Sequence, residues 1–166
     1  MSLLTREEYC LILQMAKRMG RRRTYLIMKT MANFGIQHRE LEQLTVEALR
    51  NGSSWMTRRN LQHLVLFPEP LRSELLSYAR EGGVETGLIF YSCHGAMGHS
   101  HIWRDVKEVC RHAGLSEDKG TPSSLVKLYR ATYLEFSRAD PLHADENFQA
   151  FLMDEEEHVA WSNSHV

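Results

Sequence analysis

An α+β fold, mainly helical and with one small sheet, is what this sequence predicts, and three observations predict it. Apolar residues recur at helical spacing on both sides of a central stretch. That stretch, between Asn51-Gly52 and Pro68, switches to short strand-like pieces. No internal repeat or low-complexity linker interrupts the chain. With 166 residues, 43% apolar and 25% charged, it fits one domain, residues 1–166, able to bury a single core.

Thr5-Arg6-Glu7-Glu8 reads as a capping box, the threonine accepting from an early backbone N–H while Glu8 reaches back to the cap. The helix it opens carries Tyr9, Ile12, Leu13, Ala16 and Met19 on one side. After Gly20 and Arg21-Arg22-Arg23, a second helix is predicted over residues 24–32, with Leu26, Ile27 and Met31 apolar. Asn33-Phe34-Gly35 breaks that pattern, and residues 38–44 read as a short third helix. Strand-like pieces follow at 54–57 and 63–67, with the basic turn Arg58-Arg59-Asn60 between them. Residues 68–80 return to helix through Leu71, Leu75, Leu76 and Tyr78. The apolar run 87–91 fits either a buried strand or an extended segment. Ile102, Trp103, Val106, Val109, Cys110 and Ala113 mark the clearest helix, stopped by Gly114. Pro122 suits the first turn of the next, whose inner face carries Leu125, Leu128, Tyr129, Thr132, Tyr133 and Phe136. A weak helix over 146–153 precedes the acidic run Asp154 to Glu157 and a polar tail.

Net charge is −1 but unevenly spread: residues 1–80 hold 13 Lys+Arg against 7 Asp+Glu, and residues 81–166 hold 7 against 14. A basic first half can face phosphates, whereas an acidic end is repelled by them; the plainer reading is that both sets solvate helix faces. Cys10, Cys93 and Cys110 are odd in number and widely spaced, so free buried thiols are expected rather than disulfides or a zinc clip. No stretch reaches the ~18–20 apolar residues of a membrane span, and Glu7 and Glu8 interrupt any signal-peptide pattern. A cytoplasmic protein without membrane contact is the expectation.

Two segments carry a resemblance. Phe34-Gly35-Ile36-Gln37-His38-Arg39-Glu40-Leu41, followed by Leu44-Thr45-Val46-Glu47-Ala48, looks like a T-G-[IL]-R-x-S-E-L segment and the lead into a strand. Gly87, Phe90, Gly95, Ile102-Trp103, Ala113-Gly114-Leu115 and Thr121-Pro122-Ser123-Ser124-Leu125 follow G-x-[IL]-F, S-G, I-W, A-G-[ILV] and P-H-x-L-R-H landmarks in order. In these residues the chain resembles the catalytic domain of tyrosine recombinases (the phage-integrase family), and is similar to integrases of bacterial conjugative transposons. The resemblance implies an α+β fold of helices around a small antiparallel sheet. The pattern begins almost at once, so the family's N-terminal core-binding domain is expected to be absent.

In that family a tyrosine attacks the scissile phosphate and two arginines hold its non-bridging oxygens, the planar guanidinium donating two bonds where charge rises. A hairpin lysine and histidines move protons. Carried over by position, the first arginine falls on Gln37 and the hairpin lysine on Arg59, a cation but a poor proton donor. The motif histidine falls on Ser123, its arginine on Val126 and its last basic position on Lys127. The Gly-His pair is missing, no tyrosine follows Tyr133, and Trp161 lies near the expected nucleophile. Arg39 is a poor substitute for the Gln37 slot, whereas Arg130, one helical turn from Val126, shares its face.

The resemblance therefore implies a recombinase scaffold that has lost cutting, with no cofactor, and with Arg58, Arg59, Lys127 and Arg130 as candidate contacts to duplex DNA. The expected role is occupying recombination sites, or modulating an active integrase from a mobile element. An alternative is a protein–protein module, acting on a partner integrase or its own copies through the acidic tail with Trp161. A third is an active recombinase with relocated residues. Cys93, His94, His99 and His101 offer metal-capable side chains but match no standard zinc spacing. Arg21-Arg22-Arg23 fits either a grip on DNA or solvated charge, and Trp55, Trp103 and Tyr129 fit core positions.

Overall fold

The computed structural model describes residues 3–93 and 95–161. Helix α1 (Arg6–Arg18) starts from the predicted capping box. Thr5 Oγ1 accepts from the Glu8 N–H at 3.1 Å and the Glu8 carboxylate accepts from the Thr5 N–H at 3.0 Å. Its stripe of Tyr9, Ile12, Leu13 and Ala16 has no exposed surface. Burial of the Ile12 and Leu13 side chains contributes roughly 1.5–3 kcal/mol each.

Helix α2 (Arg22–Phe34) runs two residues beyond the predicted span at each end, because it is the hub of the core. Every side chain from Thr24 through Phe34 is buried, polar ones included, so a stripe pattern understates it. Lys29, fully buried, donates to Glu74 at 2.8 Å and to Glu156 at 2.6 Å, and the Thr30 hydroxyl donates to the Leu26 carbonyl at 2.7 Å. Gly35 ends the helix in the left-handed region (φ 71°), where the Tyr129 ring lies 2.5 Å from the position a Cβ would take.

The third helix expected over 38–44 is only a 3-10 turn, Glu40–Gln43, within a loop. A helix not foreseen, α3 (Val46–Asn51), follows, with Thr45 Oγ1 accepting from the Ala48 N–H at 3.1 Å. Six residues are too few to write a helical period into sequence. Strands β1 (Ser53–Arg58) and β2 (Leu61–Leu66) then pair antiparallel, Arg58 opposite Leu61. Arg59 and Asn60 form the two-residue turn, both at positive φ (52° and 64°), which a type I′ hairpin demands. Met56 and Val65 face the core, so Trp55, one residue out of phase, stands 64% exposed. The expectation that Trp55 is a core residue is thus corrected. Trp103 is also exposed at its edge, with the Lys107 ammonium 4.2 Å from the ring centre, while Tyr129 is half-buried.

Helix α4 (Leu71–Glu81) matches its prediction closely. The run 87–91 is extended: the Val46 N–H donates to Gly87 at 2.9 Å, the Ile89 N–H to Leu44 at 3.2 Å, and Ile89 and Phe90 are buried. It leads into the short pair β3 (Tyr91–Ser92) and β4 (Gly95–Ala96). Helix α5 (His99–His112) and helix α6 (Pro122–Ala139) begin near their predicted starts, α6 with Pro122 in its first turn. Helix α7 (Ala144–Val159) is twice the predicted length and takes in the acidic run. Glu155 reaches Arg6 and Glu156 reaches Lys29, long-range partners that a local pattern cannot announce.

The core forms around α2, on which α1, α4, α5 and α6 pack, with α7 lying against α6 and α1. Cys110 is buried and Cys10 half-buried, but Cys93 is exposed, which corrects the expectation of three buried thiols. Burial pushes the Cys10 thiol up to about 11 and the Cys110 thiol up to about 12. Among the described residues, no helix is long and apolar enough to cross a membrane.

Candidate functional site

Gly35 turns the chain back beneath α6, and this reversal positions Gln37 and His38. On α6, Ser123, Val126, Lys127 and Arg130 follow at i, i+3, i+4 and i+7, one face of a helix. The two pieces meet the start of α5 around a cavity of about 410 Å³ lined by Gln37, His38, His99, Ser123, Val126, Lys127 and Arg130. Four positions picked out in sequence (Gln37, Ser123, Val126 and Lys127) are therefore brought together, and Arg130 joins them. Arg59 is not among the lining residues and sits exposed on the β1–β2 turn.

The chemistry of this cavity is cationic and hydrogen-bonding. Lys127 and Arg130 are exposed and have no ion-pair or hydrogen-bond partner among the described residues. Ser123 exchanges a hydroxyl hydrogen bond with Thr121 at 3.2 Å. Val126 is buried and adds only wall. His38 and His99 were not picked out as a pair in sequence, yet their rings lie 4.1 Å apart at the cavity edge. Burial first, then His99 and Arg39, hold the His38 imidazole below its usual value of 6.5. An anion entering here meets two imidazoles, an ammonium and a guanidinium, with Gln37 and Ser123 as neutral donors. No tyrosine lines the cavity.

The hairpin is anchored beside it by Glu40, a 1% exposed carboxylate that sequence reasoning did not single out. It accepts from the Gln37 N–H at 2.8 Å, from Arg58 Nε at 3.1 Å and Nη2 at 2.5 Å, and pairs with His63. Arg58 also donates to the Gly35 carbonyl at 3.1 Å, so its guanidinium fork is occupied within the fold. Arg59 keeps its charge in solvent, without a partner among the described residues.

The remaining candidates disperse. Arg21 pairs with Glu108 at 2.8 Å, Arg22 with Glu81, and Arg23 with Asp105 at 3.7 Å, so the basic triplet binds neighbouring helices. His101 lies against Asp105 and Arg23 while His99 lies against His38; Cys93 is exposed, and His94 is outside the described residues. Arg39 is exposed and lines no part of the cavity. Trp161 packs at 5.1 Å on the Tyr25 ring, against the core. Tyr133, the last tyrosine, donates to Asp145, and that bond raises its hydroxyl to about 12.

No protein-family model matches this sequence, and no curated protein matches it either. Solved structures do. XerA recombinase aligns with a TM-score of 0.66 at 21% identity, over 81% of this chain and 49% of that one. The integrase from mycobacterium phage Brujita aligns at 0.62 and 15% identity, over 90% of this chain and 49% of its own. XerH site-specific recombinase, bound to its difH substrate in a pre-cleavage complex, aligns at 0.66 and 21%, over 99% of this chain and 49% of its own. The chain spans about half the length of each of these structures. At such identities the likeness shows the fold: helices around a small antiparallel sheet, arranged like a tyrosine-recombinase catalytic domain.

Proposed function

We propose that the chain is a non-cutting, integrase-like DNA-binding protein, related to site-specific recombination, that occupies recombination sites or modulates an active integrase. One observation carries the reading: Gln37, Ser123, Val126, Lys127 and Arg130 share a cavity that offers donors and positive charge but no tyrosine. By the resemblance, Gln37 and Val126 stand where guanidiniums would stabilise the transition state, and neither can supply charge. Lys127, Arg130 and the exposed Arg59 are free to meet backbone phosphates, which need charge and hydrogen bonds but no chemistry.

A gel-shift series on duplex DNA across salt concentrations tests the binding. Affinity is expected to fall as salt rises, and Lys127→Ala with Arg130→Ala to weaken it about tenfold and shallow the salt slope by ~0.9 per lost phosphate contact. No shift at low salt would overturn the reading. A nicked attachment-site substrate, run on a denaturing gel, is expected to yield no covalent adduct; an adduct would favour the relocated-residue alternative. The reading in which the acidic tail recruits a partner is weakened by Glu155 and Glu156, which are already paired with Arg6 and Lys29.

A further inference from the structure

Beside the first cavity, and sharing Arg130 with it, a second of about 380 Å³ runs between β2, α6 and α7. Its wall includes His63, Leu64, Val65 and Leu66, four consecutive residues of one strand. Side chains alternate along a strand, so a cavity lying over one face would meet every second residue. One that meets four in a row runs along the strand's edge.

That edge is unpaired. Arg58 and Leu61 flank the two-residue turn, and the Phe67 N–H donates to the Gly52 carbonyl, so the ladder joins Leu61, His63, Val65 and Phe67 of the second strand to β1. The outward backbone groups on β2 then belong to Gln62, Leu64 and Leu66. On β1 the same alternation turns Thr57 outward, and there the Gln43 side-chain amide stands in for a third strand. It donates to the Thr57 carbonyl at 3.0 Å and accepts from its N–H at 2.8 Å. Nothing among the described residues does this for Leu64 or Leu66 on the opposite edge. Nor is the edge blunted in the usual ways: β2 holds no lysine, no proline and no bulge. Leu64 and Leu66 are exposed, next to Trp55.

Two further groups say what fits. Asn33, 8% exposed, lines the cavity with its Oδ1 buried and unpartnered, a polar atom lacking the hydrogen bond that burial normally demands. The free Arg130 guanidinium sits in the same wall and favours a carboxylate. We infer that the open edge of β2 accepts an extended, acidic peptide segment of a partner protein. The segment pairs its backbone with Leu64 and Leu66 as a third strand, its carboxylate meeting Arg130 and its amide side meeting Asn33.

The test uses the full chain and a display library of random dodecapeptides. Selection is expected to enrich sequences with strand propensity and an acidic position. Bound peptide should slow hydrogen exchange of the Leu64 and Leu66 amides. Proline at an outward edge position removes a donor without touching the inner ladder. Leu64→Pro should therefore cut peptide affinity at least about tenfold while leaving the DNA gel shift unchanged. Arg130→Ala, on an exposed residue, should weaken the acidic peptides selectively and serves if the proline variant fails to fold. No enrichment, or enriched peptides indifferent to both changes, would overturn the inference and leave the DNA reading standing.

Discussion

At Gly35 a backbone requirement and a packing requirement coincide. The positive φ favours glycine, and the Tyr129 ring occupies the space a Cβ would need. Gly35→Ala is expected to cost about 1–2 kcal/mol in left-handed strain and a further 1–3 in overpacking, read as a lowered denaturant midpoint. Tyr129→Leu should recover only the second part. His38 gives a pH test. Its folded value lies below 6.5, so the folded state binds fewer protons than the unfolded one in that window. The stability it contributes is present above pH 6.5 and is lost as pH falls through its folded value. His38→Asn is expected to flatten the fall in melting temperature between about pH 7 and about pH 5. A bound phosphate reverses the preference by stabilising imidazolium, so DNA affinity should rise over the same fall in pH. At this scale the sequence was partly legible. Gln37, Ser123, Val126 and Lys127 could be placed through ordered motifs, whereas the His38–His99 contact and the buried Glu40 depend on residues remote in the chain.

Among the elements, α7 shows how a weak local pattern becomes a firm helix. Its final turns are held by the Arg6–Glu155 pair, by Lys29 on Glu156, by Lys17 donating to the Ala160 carbonyl at 2.6 Å, and by Tyr25 donating to the Val159 carbonyl. Burial raises the Glu156 carboxyl above its usual value even with Lys29 beside it. Lys29→Met would leave Glu74 and Glu156 facing each other around a lost ammonium. A loss of about 3–5 kcal/mol is expected by chemical denaturation. Adding Glu156→Gln should return part of it, since the second change removes a stranded charge. Caps and stripes in sequence located α1, α4, α5 and α6 well, because each buries one face. They shortened α2, buried all round, and α7, whose ties are distant. They also missed α3, too short to show a period.

Across the whole molecule, the lopsided charge of the sequence has a structural use that composition did not disclose. Arg6, Arg21, Arg22, Arg23 and Lys29 of the basic half pair with Glu155, Glu108, Glu81, Asp105 and Glu156 of the acidic half. Charge segregation along the chain thus becomes attraction between its halves, and fewer cations remain to meet DNA than a count suggests. The more exposed of these pairs, those of Arg21, Arg22 and Arg23, contribute only ~0–1 kcal/mol each, so packing around α2 supplies most of the cohesion. With α1 and α7 joined by these contacts, unfolding is expected to be one cooperative transition. Far-UV signal and tryptophan fluorescence should follow coincident curves, and separated curves would show the halves unfolding independently.

Val126 walls the first cavity from within the core, and this limits what the cavity can be made to do. It is 4% exposed, on a helix that packs against α2. An arginine placed there would drive a guanidinium into that packing or prise the helices apart. A single substitution therefore adds no usable charge to the cavity: the neighbours must be remodelled before a guanidinium can be housed.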